Sequence, residues 1–63
     1  MARVIIIDDN DTMREGMAVT LKKSGHDVLA FRNGVDGVAA YEKAPADLVV
    51  TDLKMDAVDG ILP

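Results

Sequence analysis

Two short apolar runs in this chain each end in acid. Val4-Ile5-Ile6-Ile7 leads into Asp8-Asp9, and Leu48-Val49-Val50-Thr51 leads into Asp52. If the runs are neighbouring parallel strands, their C-terminal ends lie side by side and three carboxylates converge on one spot. At about 4 Å and an effective dielectric of about 20, each pair repels by roughly 4 kcal/mol. Such a cluster persists when a cation neutralises it or when some carboxylates stay protonated. An all-oxygen cluster on strand ends suits a hard divalent ion, Mg²⁺ above all.

The distribution of charge supports this emphasis. The net charge of −4 argues against a nucleic-acid-binding surface, which would need clustered Lys and Arg. Asp8, Asp9, Asp11, Asp52, Asp56 and Asp59 make up six of the eleven acids and fall in two short segments. Helix capping would account for one or two acids per loop, and the remainder call for another reason. With no cysteine, the 63 residues hold neither disulfides nor thiolate metal sites. No apolar stretch approaches the roughly 20 residues of a membrane span. Met1-Ala2-Arg3 runs straight into a strand-like segment, without a signal-peptide core. The expectation is a cytoplasmic protein that contacts neither membrane nor nucleic acid directly.

Along the chain, residues 3–7 read as a strand buried on both faces, because four consecutive aliphatic side chains leave no polar side. A helix is expected over about residues 12–24, with Asn10 or Asp11 at its start and Gly25 as its stop. Met13, Met17 and Leu21 form a stripe that reads as core, and Gly16 reads as a point of close approach. Residues 26–31 make a second strand, ended by Asn33-Gly34. A weaker helix over about 35–43 presents Val35, Val38 and Ala39 inward, carries Gly37 at a cost of about 1 kcal/mol relative to Ala, and closes at Pro45. Residues 47–51 form the third strand, and 52–63 a loop with the first turn of another helix. Strand-helix-strand-helix-strand with short connections implies right-handed crossovers and an α/β fold on a parallel sheet.

Ile7-Asp8-Asp9-Asn10, followed by Asp52, Met55 and Asp59-Gly60, resembles the receiver domain of bacterial two-component response regulators. The resemblance covers the whole chain, whereas the chain covers about half of a receiver, so residues 1–63 read as one truncated receiver domain. Receivers have a flavodoxin-like fold with strand order 2-1-3-4-5, an order for which a chemotaxis receiver is a standard illustration. The resemblance therefore implies half of that doubly wound fold: three parallel strands in order 2-1-3 with two helices.

It also implies roles. Asp52 corresponds to the aspartate that accepts a phosphoryl group from a sensor histidine kinase. Asp9 corresponds to a direct Mg²⁺ ligand, and Asp8 to its partner holding a metal-bound water. The backbone carbonyl of Lys54 corresponds to a third protein ligand, with Asp52 itself also at the metal. Asp56 departs from the proline that many receivers have after the methionine. The family's fourth strand supplies a Ser or Thr and its fifth a Lys, both touching the phosphoryl group. Neither strand falls within these residues, so phosphotransfer by this segment is expected to be impaired. In an intact parent the resemblance implies control of an output domain, often DNA-binding and transcriptional.

Other readings bear on the same residues. His26 opens the second strand, away from the acidic edge, and reads as a surface histidine; Arg14 reads as part of a solvated helix face, with contact to a partner kinase as the alternative. The third strand has the apolar pattern of a central strand but lies at an edge in the order 2-1-3, which invites pairing with another chain. A homo-oligomer, most simply a two-fold dimer with third strands adjacent, is therefore expected. A half-domain whose only activity is self-association is the competing reading. A phosphohydrolase with an aspartyl nucleophile fits poorly, because such enzymes carry a second acid two residues on, where this chain has Lys54. The chain is not expected to be an enzyme.

Overall fold

The structure is a computed structural model and describes residues 1–51. It contains β1 (Arg3–Ile7), α1 (Asp11–Lys23), β2 (Asp27–Phe31), α2 (Gly34–Lys43) and β3 (Leu48–Thr51). The three strands form one parallel sheet in the order β2-β1-β3. This is the α/β architecture and strand order expected of a partial flavodoxin-like receiver. The expected loop and helical turn over 52–63 lie outside the described residues.

β1 is central, and its composition explains why. Side chains alternate between sheet faces. Val4 and Ile6 join Ala18 of α1 and Val28 of β2 in one cluster. Ile5 and Ile7 turn the other way, toward α2 at Gly37. All four are buried, and each contributes up to roughly 1.5–3 kcal/mol. A strand with one polar face could not occupy this place.

Local signals set the helix ends. Asn10 caps α1, its Oδ1 accepting from the Met13 amide at 3.0 Å. The far end closes in a Schellman turn: the His26 amide donates to the Leu21 carbonyl at 3.1 Å and the Gly25 amide to Lys22 at 3.0 Å. Gly25 takes a φ of 92°, which only glycine adopts readily. Asn33 belongs to α2 as its N-cap, its Oδ1 accepting from the Asp36 amide at 2.9 Å, so α2 begins at Gly34.

Several inner-face expectations are corrected. Val35 and Val38 are exposed, Val35 at 79%, and Ala39 is exposed too; the buried residue of α2 is Gly37. The reason is steric. Its missing β-carbon is what allows the Ile7 side chain to lie against the helix. Gly16, by contrast, faces open space, and Met13 is exposed while Met17 and Leu21 are half-buried. The buried residue of α1 is Ala18.

The sheet has a pinned end and an open end. At the N-terminal edge, the Arg3 amide donates to Asp47 Oδ2 at 2.8 Å, and the Asp47 amide returns a bond to the Arg3 carbonyl at 2.8 Å. The Arg3 guanidinium reaches Asp27 Oδ2 at 3.2 Å and the Ala44 carbonyl at 3.3 Å. His26 lies at this same edge. It is half-buried, not a free surface residue, and its Nδ1 accepts from the Ala2 amide at 3.0 Å.

Candidate functional site

The opposite edge carries the acids. Paired Cα positions run from Val4↔Leu48 to Ile7↔Thr51, so β1 and β3 leave the sheet at the same level. Asp8 follows directly. Its amide donates to the Phe31 carbonyl at 3.0 Å, extending the bonding to β2 by one residue. Asp8 is buried, at 5% exposure. Oδ1 accepts from the Asn10 amide at 2.9 Å. That bond closes a tight turn through Asp9, which is itself exposed.

An open cleft of ≈ 620 Å³ occupies this edge. Asp8, Asp9 and Asn10 line one side, Met13 and Met17 of α1 another, and Val50 and Thr51 of β3 the third. The β1–β3 seam thus brings the first two predicted acids together with the end of β3. Asp52 and the Lys54 carbonyl lie outside the described residues, as do Met55, Asp56, Asp59 and Gly60. Among the described residues, no group of three or more His, Cys, Asp or Glu gathers that could hold a metal ion. The charged donors at the cleft are nevertheless the carboxylate oxygens of Asp8 and Asp9, with one Asp8 oxygen fixed by an amide. Such a set fits a hard dication such as Mg²⁺.

Arg14 changes role between sequence and structure. Its side chain is only 15% exposed and folds back over the start of α1. One guanidinium nitrogen donates to the Asp8 carbonyl at 2.9 Å and the other to Asp11 Oδ1 at 2.6 Å. This is not a solvated helix face. The hydrogen bond from Arg14 and then its charge, with help from Arg32, hold the exposed Asp11 carboxyl below its ordinary 3.8.

Sequence reasoning therefore missed three participants. Asn10 holds Asp8 through its main-chain N–H, a role invisible in residue type. Arg14 serves a carbonyl that no composition argument locates. Thr51, the last residue of β3, lines the cleft. The available signal for Arg14 was its place in the first turn of α1, where a long side chain can reach back along the helix toward the preceding loop.

Comparison with known proteins agrees with this geometry. The pattern of the response regulator receiver domain matches residues 4–62. Protein PilH of Pseudomonas aeruginosa is 40% identical over 60 residues, an alignment covering 95% of this chain and 50% of PilH. The response regulator receiver protein CpdR of Brucella abortus is 33% identical over 61 residues, covering 97% of this chain and 51% of CpdR. The transcriptional regulatory protein QseB of Haemophilus influenzae is 37% identical over 59 residues, covering 94% of this chain and 27% of QseB. The chain spans about half the length of PilH and CpdR, and less of QseB. The sheet order β2-β1-β3 is consistent with a partial receiver fold, and the chain belongs to the response regulator receiver domain family.

Proposed function

We propose that this chain is the phosphoacceptor receiver module of a two-component phosphorelay, with Asp52 as the acceptor. The supporting observation is the Ile7↔Thr51 register, since Asp8-Asp9 and Asp52 are the next residues in sequence after those two partners. A carboxylate oxygen of Asp52 attacks the phosphorus of a phosphohistidine on a sensor histidine kinase. The P–N bond breaks, its electron pair returns to the imidazole, and an acyl phosphate forms on Asp52. Asp8, Asp9, Asp52 and the Lys54 carbonyl would hold Mg²⁺, which when bound would offset the negative charge of carboxylate and phosphoryl group. Asn10 keeps the Asp8 carboxylate aimed while this happens. The module is a switch rather than an enzyme, and its place is the cytoplasm; no described helix is long and apolar enough to cross a membrane.

Residues 1–63 act as one unit, and through it the parent protein controls an output domain, in one class a DNA-binding one. Transfer to the 63-residue polypeptide alone is slow, because the family's phosphoryl-binding Ser or Thr and Lys belong to strands outside it. Incubation with acetyl phosphate and Mg²⁺ tests the assignment. The expected result is a mass gain of one phosphoryl group that disappears in Asp52→Asn. No gain at millimolar donor, or a gain that survives the substitution, overturns it.

A second reading, self-association as the sole activity, is favoured by one observation. β3 is an edge strand among the described residues, with Leu48 and Val49 exposed at 52% and 42%. A two-fold dimer through β3 would bury both side chains and pair the bare strand edge. Light scattering behind a sizing column tests it: a compact, cooperatively folded monomer at micromolar concentration overturns the dimer.

A further inference from the structure

Arg14 makes a contact that neither helix formation nor core packing demands. A surface arginine in the first turn of a helix ordinarily extends into water. Here the guanidinium bridges two acceptors on opposite sides of the turn that carries the acids, the Asp8 carbonyl and the Asp11 carboxylate. The Arg14 amide also donates to the Asn10 carbonyl at 2.9 Å. The loop is thus held at each residue on either side of Asp9: Asp8 by Phe31 and Arg14, Asn10 by Arg14 and by Asp8 Oδ1. Asp9 itself has no need of a partner to be placed.

The Asp8 carbonyl belongs to the peptide plane shared with Asp9. A planar peptide moves as one body, so a donor fixed on that oxygen also fixes the direction in which Asp9 leaves the plane. A planar guanidinium fork has the geometry to hold a carbonyl and a carboxylate at once, which a single ammonium lacks.

We propose that Arg14 is a positioning residue for the divalent cation, clamping the Asp8–Asp9 peptide so that both carboxylates face the cleft before the ion arrives. The proposal rests on the cation-site reading above and extends it to a residue that touches neither metal nor phosphoryl group. It sets two physical effects against each other. As a positive charge near the site, Arg14 opposes a dication, and its removal should tighten binding. As a clamp, it preorganises the site, and its removal should loosen binding, as loss of outer partners does in metal sites generally.

The sign of the change decides between them. Mg²⁺ affinity is measured by calorimetry on the full chain and on Arg14→Ala, Arg14→Lys and Asp11→Asn, with far-ultraviolet circular dichroism confirming that α1 persists. Weakening by about 10-fold in both arginine variants supports the clamp. Unchanged or tighter binding in Arg14→Ala overturns it. A second measurement does not depend on the metal. In the ion-free chain, exchange of the Asn10 amide, which donates to Asp8 Oδ1, should quicken about 10-fold in Arg14→Lys while amides in the middle of α1 keep their rates. Equal Asn10 exchange in the two proteins overturns the proposal whether or not Mg²⁺ binds. Failure of the unsubstituted chain to bind Mg²⁺, with the exchange difference intact, counts against the phosphoacceptor reading and leaves the loop clamp standing.

Discussion

Gly37 of α2 lies against Ile7 of β1 so closely that a β-carbon on the glycine would come within 2.6 Å of Ile7 Cγ1. That contact seats the second helix on the sheet one residue before the acidic turn. Gly37→Ala gains about 1 kcal/mol of helix propensity and loses about 1–3 kcal/mol to overpacking. The expected outcome is a lower urea midpoint, partly restored by adding Ile7→Val. A midpoint equal to or above the original would show that Ile7 gives way freely.

The two asparagine caps offer a controlled pair. Asn33→Ala and Asn10→Ala each remove one side-chain acceptor from a helix start, at a cost of about 1 kcal/mol. Thermal melts should show similar losses for both. Mg²⁺ binding should be unchanged in Asn33→Ala, since that cap belongs to α2 and none of its bonds reaches the cleft. A Mg²⁺ defect in Asn33→Ala would show that the start of α2, which leaves the same rim of the sheet as the acids, is coupled to the cleft.

Replacing Val49 by Lys places a charge in the middle of the exposed β3 edge, a device that blocks strand addition. If the chain pairs through β3, Val49→Lys should convert the dimer mass to that of a monomer in light scattering. A dimer that persists would locate the interface elsewhere.

Asp11 gives a pH-dependent readout of the Arg14 fork. Its folded carboxyl titrates below the ordinary value because Arg14 hydrogen-bonds to it and attracts it. A depressed folded value means the interaction is complete above the unfolded pKa and disappears as pH falls through the folded one. Carbon-13 titration should therefore place Asp11 below 3.8, and Arg14→Ala should move it back up. Because the Asp11 side chain is largely exposed, salt should diminish the difference. An Asp11 titration indifferent to Arg14 would remove the carboxylate arm of the fork.

How much of this was legible in the residues depended on whether side-chain chemistry carried the information. β1 could be read because four aliphatic residues admit only a doubly covered strand. The start and stop of α1 could be read because Asn10 and Gly25 each do one well-understood thing. The inner face of α2 could not: periodicity weighs apolar side chains, and Val35 and Val38 outweigh a glycine that has none. The position of Asp8 and Asp9 at the end of β1 was legible, whereas the groups that hold them there were not. Asn10 acts through its main chain, and Arg14 answers a carbonyl whose exposure follows from where the strand ends.

The paired bonds between Arg3 and Asp47 have a further consequence for how the site can vary. They fix the height at which β3 enters the sheet, and a parallel strand entering one residue earlier or later arrives at the far rim displaced by a full residue and with its faces exchanged. The alignment of the acidic rim is thus set by the single step from Asp47 to Leu48, at the other end of the molecule. A single insertion between Asp47 and Leu48 would push β3 one residue out of step with β1 while removing no acid from the chain.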